Sequence, residues 1–188
     1  MSTKSPSKTK LFDRGAESYL NALVAMDVFE QEVQDLCLDV CKHHESNLAL
    51  QMGLDASDWD YYSDNSPEER WADLGVLRPA QAYGDCSFYL YLQWRVAEGG
   101  GDVCAARIWL DVYPKTFREA TYERVRKKNP LCRIQKVDNY GLIVETLLKP
   151  NELASAGETL DALDKLVLEW LVYCKKAGGL NLKKYKSP

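Results

Sequence analysis

Two alternating runs in the middle of the chain constrain its fold more than any other feature. From Ser87 to Val96, the residues Phe88, Leu90, Leu92, Trp94 and Val96 fall on one side of an extended backbone. Tyr89, Tyr91, Gln93 and Arg95 fall on the other. After Gly99, Gly100 and Gly101 the pattern returns, with Cys104, Ala106, Ile108, Leu110 and Val112 opposed to Arg107, Trp109, Asp111 and Tyr113. A period of two with one apolar face marks half-buried antiparallel strands, so the two runs predict a hairpin. Both apolar sets lie at even positions, and a loop over 97–103 then sets Tyr91 near Trp109 and Gln93 near Arg107.

The flanking segments read as helices and a second hairpin. Pro114 ends the second run, and Thr116 with Glu119 forms a capping box for a helix through Lys128 with Phe117, Ala120 and Val125 on its inner side. Asn129 and Pro130 stop it. Strands over Leu131–Val137 and Leu142–Leu148 follow, joined by the turn Asp138-Asn139-Tyr140-Gly141. Pro150 and Asn151 introduce a last helix whose apolar stripe is Leu160, Leu163, Val167, Trp170, Leu171 and Cys174, ending at Gly178 and Gly179.

Toward the N-terminus, Phe12, Ala16, Tyr19, Leu23, Met26, Phe29, Val33, Leu36, Val40 and Leu48 recur mostly at spacings of three and four. They predict one long amphipathic helix, or two with a bend around Asp39 to Asn47, stopping at Gly53. Residues 55–64 interleave acids with Trp59, Tyr61 and Tyr62 and predict a packed loop, while Ser66, Pro67 and Glu69 open a short helix reaching about Asp73.

The expected fold class is therefore α+β: a largely antiparallel sheet of four to five strands in two hairpins, with a long N-terminal helix, a middle helix and a C-terminal helix packed on it. Residues 1–10 are expected to be a disordered tail, 11–179 a single domain and 180–188 a basic tail. The order helix, hairpin, helix, hairpin, helix is similar to that of small type III secretion chaperones and several other α+β modules. That likeness is architectural and implies a binding role at most.

With 188 residues, 46% of them hydrophobic and 28% charged, the chain can bury a core without disulfides. No apolar run approaches the roughly 18–20 residues of a membrane helix, and the first ten residues lack the apolar centre of a signal peptide. A cytoplasmic protein with reduced cysteines is the expectation. The net charge of −4 hides an asymmetry, because residues 11–85 hold sixteen Asp and Glu against four Lys and Arg, whereas residues 114–136 hold eight Lys and Arg against two Glu.

Catalytic and metal signatures are poor. Cys37, Cys41 and His44 lie at i, i+4 and i+7 of a helix and could share a metal, but the same positions continue its apolar stripe and no fourth ligand is assigned. A Cys–His nucleophile there is disfavoured by the surrounding acids, which raise a thiol's pKa. Asp111, Asp138 and Glu145 with Lys136 and Lys149 lack the acid-x-Lys spacing of a metal-dependent nuclease. The acids of residues 55–64 lack the spacing of a calcium loop, and Gly99 to Gly101 precede a strand rather than a helix. No catalytic residue and no cofactor is expected.

Binding surfaces are better marked. Tyr89, Tyr91, Arg95, Arg107 and Trp109 form an aromatic and polar outer sheet face suited to a protein partner. Arg118, Arg124, Arg126, Lys127, Lys128, Arg133 and Lys136 form a basic segment within 115–136 that could meet nucleic-acid phosphates. The reading that follows is an adaptor or chaperone-like module without catalytic activity, self-associating through the N-terminal helix or an edge strand. A nucleic-acid-binding or nuclease-related protein is the alternative.

Overall fold

The computed structural model describes residues 8–53, 59–62, 71–79, 86–96, 102–112, 115–137 and 141–180. It is an α+β structure with an antiparallel sheet. In chain order the elements are helix α1 (Lys8–Met52), strands β1 (Trp59–Tyr62), β2 (Trp71–Pro79), β3 (Cys86–Val96) and β4 (Asp102–Val112), helix α2 (Lys115–Lys128), strands β5 (Gln135–Val137) and β6 (Gly141–Leu148), a 3-10 turn (Pro150–Leu153) and helix α3 (Ala156–Lys176). The chain divides into two units, Met1–Glu32 and Val33–Pro188.

In the second unit the strands lie in the order β1-β2-β3-β4-β6-β5, and every neighbouring pair is antiparallel. The even-numbered face carries the core. Phe88, Leu90, Leu92, Ala106, Ile108, Leu110, Leu142 and Val144 are buried there with Val167, Trp170 and Cys174 of α3 and with Val33, Cys37, Val40, Leu48 and Met52 of α1. The Phe88 and Trp170 rings meet at 6.1 Å between centroids and fix α3 on this face.

Local chemistry explains the helix ends. Ser155 is the N-cap of α3, accepting from the Glu158 amide at 3.2 Å, so the helix starts after the 3-10 turn rather than at Pro150. Asn129 closes α2: its Nδ2 donates to the carbonyls of Val125 at 3.0 Å and Tyr173 at 3.1 Å, which also ties α2 to α3. Gly53 takes a left-handed φ of 73° just past α1. Gly179, with φ of 79°, lies against the Gln51 carbonyl, which accepts from the Leu180 amide at 2.6 Å.

Several local expectations are corrected. Residues 71–73, expected in a short helix, begin β2, which pairs Leu74 with Leu90 and, across an irregularity, Leu77 with Phe88. The β3–β4 register also differs: Tyr89 faces Trp109 and Tyr91 faces Arg107, because pairing continues to Val96 and Asp102 and shortens the loop to 97–101. A slip of two residues keeps every side chain on its own face, so the alternation alone could not detect it.

Finally, β5 covers only Gln135–Val137 rather than Leu131–Val137. Arg133 interrupts the strand, its guanidinium donating to the Glu145 carbonyl of β6 at 2.7 Å and to Thr146 Oγ1 at 2.8 Å. A ladder acceptor is thereby taken by a side chain. Trp59–Tyr62, expected within a packed loop over 55–64, form β1 and pair with β2, and residues 8–10, expected in the N-terminal tail, fall within α1. The rest of that loop, residues 1–7 and 181–188 and the turn at 138–140 lie outside the described residues.

Candidate functional surfaces

The odd-numbered sheet face is less open than its sequence implies. Tyr91 is only 1% exposed, and Tyr89, Arg107 and Trp109 are half-buried. The Arg95 side chain lies outside the described residues. The register places Tyr91, Arg107 and Glu145 in one row across β3, β4 and β6, and Arg107 Nε donates to Glu145 Oε2 at 2.5 Å. Beside it, Trp109 Nε1 donates to Asp111 Oδ1 at 2.9 Å. Burial pushes the Asp111 carboxyl above its usual range, against the opposing pull of the Trp109 bond and the Arg118 charge.

The basic segment is also partly committed to internal partners. Arg118 is buried, Arg124 donates to the Leu180 carbonyl at 3.1 Å, and Lys136 lies 3.8 Å from Glu119 and 5.9 Å from the Tyr122 ring centroid. Arg133 pairs with Glu169, which also accepts from the Tyr173 hydroxyl. Burial works to raise the Glu169 carboxyl, but the Arg133 and Tyr173 bonds outweigh it and hold the carboxyl below its usual range. Arg126, Lys127 and Lys128 are exposed in the last turn of α2, where cations also complement the helix dipole.

The helix stretch holding Cys37, Cys41 and His44 separates into two environments. Both thiols are fully buried, and burial pushes the Cys41 thiol up to about 12, so Cys41 holds its proton near neutrality. His44 instead turns to α3, its Nε2 2.6 Å from Asp164 Oδ1. The neighbouring His43 is exposed, its ring set edge-on to His44 with centroids 4.8 Å apart. Asp39, Val40, His43, Leu160, Asp161 and Asp164 line a groove of about 400 Å³ at this place. The sequence reading passed over Asp39, Asp161 and Asp164, although Asp39/His43 at i, i+4 and Asp161/Asp164 at i, i+3 were signals in plain view.

In the first unit, Tyr19, Leu20, Val24, Val28 and Phe29 are exposed large hydrophobics on α1. Tyr19 and Phe29 were part of the predicted stripe, whereas Leu20, Val24 and Val28 widen it into a second row at i, i+4 and i+8. Among the described residues, no helix is long and apolar enough to cross a membrane. Comparison with protein families, with curated proteins and with solved structures finds no match.

Proposed function

We propose that the chain is a non-catalytic protein-interaction module that self-associates, its binding element being residues 15–32 of α1 and its first partner a second copy of itself. The observation that carries this reading is the exposure of Tyr19 at 64%, Leu20 at 60% and Val24 at 62% within one helical stretch. Nine of the eleven residues from Tyr19 to Phe29 are apolar, and a helix apolar around most of its circumference is buried on more than one side.

Charge favours an antiparallel second copy. Within α1, residues 8–14 hold Lys8, Lys10 and Arg14 against Asp13, while residues 15–41 hold six acids and no Lys or Arg. Antiparallel pairing sets the basic end of one helix against the acidic run of the other, whereas parallel pairing juxtaposes like charges. Sedimentation velocity tests the reading: the wild type is expected to dimerise with rising concentration, and Leu20→Glu/Val24→Glu to stay monomeric with its far-ultraviolet spectrum retained. A monomeric wild type, or a dimer indifferent to the double substitution, would overturn it.

Nucleic-acid contact is the second reading, supported by the exposed Arg126, Lys127 and Lys128 at one helix end. A gel shift across a salt series separates the two, since phosphate contacts weaken steeply with salt and an apolar helix pair does not.

A further inference from the structure

We propose that His43, His44 and Asp164 form a binding site for a late first-row divalent cation of the Zn²⁺ class. Their donor atoms all lie within 4.8 Å of one another, so small side-chain rotations bring them to one centre. A tetrahedral ion about 2.1 Å from each donor needs donors about 3.4 Å apart. His43 is exposed and can swing inward, while the 2.6 Å contact between His44 and Asp164 opens by less than an ångström.

Two helices present the donors in the manner of a bundle metal site. Asp39 and His43 stand one turn apart on α1, and Asp161 and Asp164 one turn apart on α3, all four lining the same groove. Three carboxylates share the groove with His43 and, among the described residues, no lysine or arginine lines it, so its field favours a cation. Two imidazole nitrogens with carboxylate oxygen suit zinc and its neighbours, whereas calcium and magnesium prefer oxygen alone. Asp39 and Asp161, which line the same groove, offer further oxygens for a fourth position.

A simple interhelix clamp between His44 and Asp164 would not need His43. That difference makes the site testable in the untagged full-length chain after dialysis against a chelator. Calorimetric titration with ZnCl2 is expected to saturate at a single zinc per chain and zinc to raise the melting temperature. His43→Gln should weaken binding at least about tenfold while leaving the metal-free melting temperature unchanged. Asp164→Asn serves as a second variant, expected to lower both zinc affinity and metal-free stability. Cobalt should give only nitrogen- and oxygen-type d–d bands. Absence of saturable zinc binding, equal affinity in wild type and His43→Gln, or a thiolate-to-cobalt charge-transfer band would each overturn the assignment.

Discussion

Arg107 and Glu145 face each other across β4 and β6, and the guanidinium Nε donates to the carboxylate at 2.5 Å with both side chains largely withdrawn from water. Tyr91, buried beside Arg107 in the register, makes this polar pair part of a packed row rather than an open surface. Glu145→Ala strands a half-buried cation and is expected to cost about 2 kcal/mol in urea unfolding. Arg107→Met/Glu145→Met should recover much of that loss, because two apolar groups leave no charge unpaired. A double mutant as unstable as the sum of its parts would show that the pair is uncoupled.

Gly141 opens β6 opposite Asp111 of β4. A Cβ there would lie 2.3 Å from the Leu110 carbonyl oxygen and 2.8 Å from Trp109 Nε1, and the backbone atom cannot step aside as a flexible side chain would. Gly141→Ala is expected to destabilise by about 2 kcal/mol, read from denaturant unfolding. An unchanged midpoint would mean that the two strands part more readily than this packing implies.

Asp111 gives a pH signature of one sign. Its folded carboxyl is raised by burial, so ionisation disfavours the fold and stability falls as pH rises past the usual aspartate range. Asp111→Asn keeps an acceptor for Trp109 and removes the buried charge. The variant should melt at the wild-type temperature or higher at neutral pH, with the gain vanishing in acid. A lower neutral melting temperature would instead make the Arg118 charge the dominant partner.

Glu169 gives the opposite sign. Its folded carboxyl is held low, so its contribution is present above the ordinary glutamate range and is lost as pH falls through the folded value. Glu169→Gln should therefore be less stable than wild type at neutral pH and converge with it in acid. Parallel pH–stability curves for the two proteins would remove the Arg133–Glu169–Tyr173 cluster as the source.

Much of the core was legible because period-two alternation is a local property. Phe88, Leu90, Leu92, Ile108 and Leu110 are all buried on the face their parity assigns. What parity cannot convey is the partner: the β3–β4 register slipped by two without changing any face, and β2 begins at Trp71, where local signals extended a helix to about Asp73. Tyr91 was legible as outward but not as buried, since its cover depends on neighbouring strands. The His44–Asp164 contact spans 120 residues of sequence, and only folding brings those two helices together. For that reason the sequence pointed to the thiols on the same helix face, which serve the core.

The bond from the Leu180 amide to the Gln51 carbonyl also ties the last described residue to the end of α1. Val33 and Gln51 are separated by about 27 Å of helix at 1.5 Å per residue. Leu180 is thus held at the opposite end of this helical segment from Val33.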